Sequence, residues 1–280
     1  MTPNPLEDAM KSLTLALVLA FATAGFGHTQ ALAQTAEVKL TRLDCGDMGE
    51  RDVAWFSDAH SFDGVKKPFV ASCYLIQHGQ DYLLWDAGFG PGAKRDDGSP
   101  IVKTTILQQL TTLGVDPKAV KFVGISHIHG DHTGQAGDLP AATLLLGKGD
   151  WDKIKAANKS DDPLVHWVSG AGKSEPVPGD KDVFGDGSVV MLNMPGHTDG
   201  HHSLLVKLKA TGYVLITGDL AHFHEAYDGN EVPGFNTDRA DSLASLDRFK
   251  KIAQNLKATV IIQHDPRDIA KLPAFPKAAE

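Results

Sequence analysis

Three histidines and an aspartate stand within six residues of one turn, as His127, His129, Asp131 and His132, directly after a strand-like run at 121–127. Imidazole and carboxylate groups are costly to pack together away from water unless something satisfies them. Strand alternation places His127 and His129 on one side, while Asp131 and His132 reach a second point close by. Both groups are usual ligands of Zn²⁺ and similar cations, so the turn predicts a metal site at a strand end.

The same arrangement, a strand followed by a histidine or an aspartate, recurs later in the chain. His197 follows a strand-like run and a Pro-Gly turn, Asp219 ends the run "LITGD", and His264 ends the run "VIIQH". Strand ends of this kind can gather at one edge of a layered fold. We therefore expect these three residues to complete the site.

Nine strand-like runs, several of them rich in β-branched residues, occur along the chain, and three helical patterns fall between some of them, which indicates an α/β fold. Early strands are arranged as hairpins and later ones alternate with helices, so we expect two mixed sheets faced by helices. No linker divides residues 34–280, which favours one domain. The strands are expected at 38–45, 68–78, 81–88, 121–127, 142–147, 188–195, 202–209, 212–219 and 258–265, and the helices at 101–113, 151–157 and 237–257.

Residues 1–33 have the pattern of a cleaved signal peptide. Lys11 precedes an apolar stretch, and Ala31-Leu32-Ala33 forms an A-x-A cleavage signature before Gln34. Translation starting at Met10 fits the same pattern, and the alternative is an uncleaved anchor helix. We expect a periplasmic or secreted protein with no membrane span in the mature chain.

The net charge of −8 comes without a long basic run, which argues against nucleic acid as a partner. The two cysteines, Cys45 and Cys73, lie in neighbouring strand-like stretches and fit either one disulfide or two buried thiols. The oligomeric state stays open, a homodimer included.

Two long segments without a strand or helix pattern, 46–67 and 222–235, are candidates for lids or binding loops. The first contains Trp55, Phe56 and Phe62 among polar residues. The alternative for each segment is a surface connection that its aromatic side chains hold in place.

The motif H-x-H-x-D-H, followed by a Gly-His, a Gly-Asp and a late histidine, resembles the metallo-β-lactamase-fold hydrolases from about Val38 to Pro266. The "LLWDAGFG" stretch matches an early Asp-x-Gly motif of that family, with Asp86 as a hydrogen-bond acceptor behind the ligands. The resemblance implies a four-layer αββα sandwich and two divalent cations, Zn²⁺ foremost, with Mn, Fe or Co accepted by similar ligands. It implies one cation on His127, His129 and His197, the other on Asp131, His132 and His264, and Asp219 as the bridge.

Within that family, the bridging Asp219 disfavours the β-lactamases, which generally lack it. The stretch "PGHTDGHHSLLV" and the spacing from His197 to Asp219 and on to His264 are similar to the N-acyl-homoserine lactonases. A glyoxalase II type of thioesterase, an esterase or a phosphodiesterase shares the ligand set and is the alternative enzyme. A metal-binding protein without turnover is the alternative outside enzymes.

The resemblance also implies a mechanism, in which a hydroxide shared by the two cations attacks the lactone carbonyl. Asp131 then passes a proton to the departing alkoxide. In many of these lactonases a tyrosine three residues after the bridging aspartate stabilises the oxyanion. Here that position is His222, so His222 or the nearby Tyr227 is expected in that role. The acyl chain is expected along Trp55, Phe56 and Phe62.

Overall fold

Two β-sheets lie face to face in the computed structural model, which describes residues 36–280. In sheet 1 the first three strands pair antiparallel and the later ones pair parallel. It contains, in spatial order, β1 (Val38–Asp52), β2 (Lys66–His78), β3 (Asp81–Trp85), β4 (Val120–Ile125), β5 (Thr143–Gly147) and β6 (Ser174–Val177).

Sheet 2 has five strands and is antiparallel except for one parallel pair at its edge. Its spatial order is β11 (Thr259–Ile261), β10 (Gly212–Ile216), β9 (His202–Leu208), β8 (Val189–Asn193) and β7 (Lys181–Asp182). Both sheets are therefore mixed, as the order of strand-like runs predicted.

The helices begin at recognisable caps. The Thr105 hydroxyl accepts a hydrogen bond from the Gln108 backbone at the start of α1, and Asp238 caps α6 in the same way. The first helix begins at this cap, which is why it is shorter than predicted. The α-helices are α1 (Ile106–Thr112), α2 (Gly130–Thr133), α3 (Lys148–Ala157), α4 (Val165–Val168), α5 (His224–Gly229) and α6 (Arg239–Leu256).

Alternating side chains along the strands build a separate core on each face of a sheet. In β3, Leu83 and Trp85 pack between the two sheets, whereas Leu84 packs towards Ile106 of α1. In sheet 2, Leu215 of β10 packs against α6. The order of layers is helix, sheet, sheet, helix, which confirms the predicted four-layer αββα sandwich.

The predicted metal ligands follow strand ends, and strand pairing places some of these ends together. β10 and β11 pair parallel with Ile216 opposite Ile261, so Asp219 and His264 leave the sheet at the same edge. The Ser126 carbonyl, at the end of β4, accepts a hydrogen bond from the His202 backbone at the start of β9, 2.8 Å away. This bond joins the two sheets at the edge where the ligands lie.

The loop predicted at 46–67 is shorter than expected because β1 continues to Asp52. The strand stays paired with β2 through two register shifts, at Asp44/Gly46 and Asp47/Gly49, where bulges accommodate extra residues. The second predicted loop, 222–235, contains α5. The connection that remains between β1 and β2 is 53–65, which includes a short turn of 3₁₀ helix at Ala54–Phe56.

Cys45 and Cys73 form a disulfide that joins β1 to β2, which decides between the two alternatives left open by the sequence. Both cysteines are fully buried against the outer face of sheet 1. Within residues 36–280 no helix is long and apolar enough to span a bilayer. The predicted signal peptide lies outside the described residues.

Candidate metal centre

Three imidazole rings converge at the edge of the two sheets where the predicted ligands lie, and they form the first group of candidate ligands. His127 Nε2 lies 2.9 Å from His129 Nδ1 and 3.1 Å from His197 Nε2, and the last two nitrogens are 3.0 Å apart. His127 and His197 are buried, whereas solvent reaches His129. The sequence motif and the distant Gly-His are thus brought together at one point.

The second group lies beside the first and combines two rings with a carboxylate. His132 Nε2 and His264 Nε2 are 3.2 Å apart, and Asp131 Oδ2 lies 3.8 Å from the former and 3.7 Å from the latter. Both rings are buried, and the Asp131 side chain is 23% exposed. This group therefore opens to solvent on the Asp131 side.

Asp219 lies between the two groups and gives one carboxylate oxygen to each. Its Oδ2 lies 3.4 Å from His127 Nε2 and 3.2 Å from His197 Nε2. Its Oδ1 lies 3.1 Å from His132 Nε2 and 2.8 Å from His264 Nε2. A carboxylate in this position can bridge two cations, as the resemblance implied.

Each buried ring is oriented by a partner on its outer nitrogen. The His132 Nδ1–H group donates to Asp86 Oδ2 over 2.9 Å, and the His264 Nδ1–H group donates to the Val70 carbonyl over 2.7 Å. Asp86 is fully buried and also accepts hydrogen bonds from Ser126 and Gln263. These bonds fix the tautomers that direct Nε2 to the centre, as partners behind metal ligands do.

Two orienting residues were not identified from the sequence in these roles. Asn236 accepts a hydrogen bond from His197 Nδ1 over 2.8 Å and donates to Ser242 at the start of α6. His201 Nε2 accepts a hydrogen bond from the Asp219 backbone over 2.9 Å, which holds the bridging carboxylate in place. His201 lies close to His197 in the sequence, but neither His201 nor Asn236 has a local sequence signal for these contacts.

The protonation of the two groups differs because their carboxylate neighbours differ. Burial lowers the pKa of His127 well below its ordinary value, and burial also lowers the pKa of His129. Burial acts in the same direction on His132, but the carboxylates of Asp219 and Asp86 outweigh it and raise the pKa of His132. The rings of His127 and His129 are therefore held in the neutral form, which is the form that binds metals.

The donor atoms fit divalent cations in number, type and spacing. Ring nitrogens about 3 Å apart with lone pairs facing one another repel unless a proton or a cation lies between them. Tetrahedral Zn²⁺ with nitrogen ligands at roughly 2.0–2.1 Å separates those ligands by about 3.3 Å, close to the spacing of the first group. His127, His129 and His197 with Asp219 would hold one cation, and Asp131, His132 and His264 with Asp219 would hold the other.

Comparison with known proteins identifies the family of the chain. The model of the metallo-beta-lactamase superfamily matches residues 67–264. The chain belongs to the metallo-β-lactamase superfamily. It is 32% identical over 241 residues to the N-acyl homoserine lactonase AttM of Rhizobium johnstonii, which covers 74% of this chain and 85% of that protein. Together with the ligand groups, this membership makes the chain a metal-dependent hydrolase.

Two solved structures show the same fold. A quorum-quenching N-acyl homoserine lactone lactonase superposes with a TM-score of 0.73 at 23% identity, over 87% of this chain and 98% of that one. AidC, a dizinc quorum-quenching lactonase, superposes with a TM-score of 0.62 at 17% identity, over 88% of this chain and 90% of that one. These similarities extend over nearly the full length of both solved chains.

His222 lies inside the hydrolase centre, with only 4% of its surface exposed. Its Nε2–H group donates to Asp219 Oδ2 over 3.1 Å, and its ring stacks on His264 with centroids 5.7 Å apart. Burial lowers the pKa of His222 to about 4. The neutral ring therefore uses its single N–H group on Asp219, and its buried Nδ1 has no partner among the described residues.

Tyr227, the other candidate for the oxyanion role, lies away from the two ligand groups. Its ring packs against Phe249 of α6 with centroids 6.1 Å apart, and Lys250 Nζ lies 4.6 Å from its centroid. The Tyr227 backbone donates a hydrogen bond to the carbonyl of Phe223, the residue before α5. The Tyr227 side chain then packs in the apolar cluster that includes residues of α6. The structure thus brings His222 to the centre and leaves Tyr227 in the packing between helices.

The three aromatic residues of the first predicted loop lie at different depths beside the centre. The Phe56 ring contacts the His222 ring edge-on with centroids 4.6 Å apart. Phe62 contacts Phe223 at 4.9 Å, one layer further out, and Trp55 is 74% exposed. Phe235, which sequence reasoning did not single out, contacts Phe56 at 5.4 Å. The phenylalanine rings form an apolar wall beside the candidate ligands, because Phe56 contacts His222 and Phe235 contacts His197.

Proposed function

We propose that this hydrolase opens the lactone ring of N-acyl-homoserine lactones with two zinc ions bound. The observation that carries the proposal is Asp219, whose two oxygens face the two ligand groups separately. Lactonase names among the relatives and the dizinc neighbour support this substrate class and this metal. When bound, two cations would lower the pKa of a shared water and polarise the carbonyl oxygen of the lactone.

The residues around the centre divide the remaining work. Asp131 is the partly exposed carboxylate of the second group, so it can take the proton that the attacking water loses and deliver it to the alkoxide that leaves the opened ring. His222 keeps Asp219 oriented through its N–H group. The open side, bounded by His129 and Asp131, is where a small lactone ring can approach.

The apolar wall supports an acyl substrate. Phe56 contacts His222 and Phe62 contacts Phe223, and Trp55, next to Phe56 in the sequence, is exposed to solvent. A fatty acyl chain laid along these rings would lose contact with water, at about 25 cal/mol per Å² of apolar surface buried. The chain length that the wall covers would then set the preference among substrates.

Export of the enzyme is part of the proposal. A buried disulfide between Cys45 and Cys73 is typical of proteins that fold in an oxidising compartment. The pattern of residues 1–33, which lie outside the described part, supports the same conclusion from the sequence. We propose a periplasmic or secreted enzyme.

The test is a substrate panel with the purified zinc-loaded protein. N-hexanoyl- and N-decanoyl-homoserine lactone would be offered beside benzylpenicillin, a glutathione thioester and a phosphodiester, with release of acid or chromophore followed over time. His127→Ala should abolish turnover, because it removes a central ligand. His78→Ala is the matched control, because His78 pairs with Asp186 on a surface loop and takes no part in either ligand group.

We expect rapid hydrolysis of the lactones alone, lost in His127→Ala and kept in His78→Ala. Faster hydrolysis of the thioester or the phosphodiester would assign the site to one of those substrate classes instead. Retention of lactone turnover in His127→Ala would place the reaction outside the two ligand groups.

A further inference from the structure

Asp150 is a fully buried carboxylate that touches none of the candidate ligands directly. It lies in the first turn of α3, directly after β5, and no part of it is exposed to solvent. Buried carboxylates are costly unless hydrogen-bond donors satisfy them, so its partners indicate its purpose.

Three donors reach this carboxylate from two separate segments of the chain. Its Oδ2 accepts from the Thr198 hydroxyl over 2.7 Å and from the Ile128 backbone over 3.3 Å. Its Oδ1 accepts from the Gly200 backbone over 3.1 Å. One side chain therefore connects the turn after β4 to the turn after β8.

The bonded residues are the immediate neighbours of the first ligand group. Ile128 lies between His127 and His129, and Thr198 directly follows His197. Fixing Ile128 and Thr198 fixes the backbone of all three histidines relative to one another. Those rings must meet at one point to within a fraction of an ångström for a cation to bind well.

The segment after His197 and the start of α3 also approach each other closely at Asp150, which is a second, independent observation in favour of a specific contact there. A Cβ atom on Gly200 would lie 2.5 Å from the Asp150 backbone nitrogen, and one on Gly147 would lie 1.8 Å from the Gly200 carbonyl oxygen. Only glycine allows the segment after His197 to lie this close to the start of α3. The carboxylate then lies within reach of both turns.

The second ligand group depends on different supports. His132 is oriented by Asp86, and His264 is oriented by the carbonyl of Val70. Ile128 is on the turn that also carries Asp131 and His132, but its hydrogen bond to Asp150 is the longest of the three at 3.3 Å, and none of the three comes from the segment that carries His264. A change at Asp150 should thus weaken one group of ligands and spare the other.

We infer that Asp150 is a positioning residue that holds His127, His129 and His197 in the geometry needed for one of the two cations. The role concerns metal binding and stands apart from the identity of the substrate. Its test can therefore fail or succeed whether or not the lactone is the substrate.

The experiment titrates metal-free protein with Co²⁺ and follows the visible absorption bands of the bound ion. His197→Ala and His264→Ala give reference spectra in which one group or the other is impaired. Asp150→Asn keeps the shape of the side chain but replaces one oxygen by an amide that cannot accept. Thr198→Val removes one donor, and Thr198→Ser keeps the hydroxyl as the conservative rescue. Ile76→Val, in the core between the sheets, controls for general destabilisation.

We expect Asp150→Asn to lower Co²⁺ affinity at one site by about 10- to 100-fold, the range found for partners behind metal ligands. The spectrum at low Co²⁺ should then match that of His197→Ala. Thr198→Val should show a smaller loss at the same site, and Thr198→Ser and Ile76→Val should bind like the unchanged protein.

Three results would overturn the inference. The first is Asp150→Asn that binds two Co²⁺ ions with unchanged affinity, and the second is an equal loss at both sites. The third is a Thr198→Val variant that binds normally while Asp150→Asn does not fold, because the hydroxyl contact would then have no part in positioning. Unchanged protein that binds no Co²⁺ would overturn the metal centre as well.

Discussion

Removal of the Cys45–Cys73 disulfide should cost this fold a measurable part of its stability. The two cysteines are separated by 28 residues in the sequence, and they join β1 to β2 under the outer face of sheet 1. A cross-link of this span restricts the unfolded chain by about 3.6 kcal/mol at 25 °C in the loop-closure treatment. We expect Cys45→Ala/Cys73→Ala to be less stable by about that amount.

The assay is urea unfolding followed by circular dichroism, with a chelator present so that metal binding adds nothing to the difference. A reductant should not alter the free energy of unfolding of the double variant, and it should lower that of the wild-type protein towards the same value. The loss of two buried sulfur atoms adds a small packing cost, so the measured difference should be slightly larger than the loop-closure value alone. A difference below about 1 kcal/mol would refute the reasoning, because β1 and β2 would then already be close together in the unfolded chain.

Three further predictions concern the aromatic wall, the centre and the surface. Trp55→Ala should raise KM for N-decanoyl- but not N-hexanoyl-homoserine lactone, because only a long chain reaches the exposed ring; equal KM changes would contradict this. Asp86→Asn should weaken metal binding about 10- to 100-fold, since His132 loses its carboxylate acceptor, and an unchanged Co²⁺ titration would exclude that role. Arg267 lowers the pKa of the Glu225 carboxyl to about 2. The stabilisation by this pair is therefore fully present above the ordinary glutamate pKa of 4.5 and is lost as the pH falls from 4.5 towards 2. Glu225→Gln should therefore lower the free energy of unfolding in urea at pH 7 by less than about 1 kcal/mol for this half-exposed pair, with no comparable loss at pH 2.

The ligand groups could be predicted because their signal is local. His127, His129, Asp131 and His132 lie on one turn, and the spacing alone indicates two convergence points. The remaining ligands each follow a strand, and parallel pairing of β10 with β11 places two such ends at one edge. Local spacing and strand direction together are sufficient for a site of this kind.

The supports of the site could not be predicted, because they depend on contacts between distant segments. Asp150 and Asn236 are ordinary polar residues in the sequence. Asp150 acts through hydrogen bonds to residues 22 to 50 positions away, and Asn236 acts through a hydrogen bond to His197, 39 positions away. Tyr227 and His222 are close in sequence but differ in their contacts. Tyr227, in α5, packs against Phe249 of α6, whereas His222, just before α5, hydrogen-bonds to Asp219. The extension of β1 also depends on pairing with β2 through two bulges, which alternation alone does not reveal.

The most direct test of the account is the rate of N-hexanoyl-homoserine lactone opening as zinc is added to metal-free protein. Asp219 gives one oxygen to each ligand group, so the account predicts that the rate rises to a plateau at two equivalents of zinc. Asp219→Ala should fail to reach that plateau at any zinc concentration. Full activity at one equivalent would contradict the two-cation centre, and no ring opening at any stoichiometry would contradict the lactonase assignment.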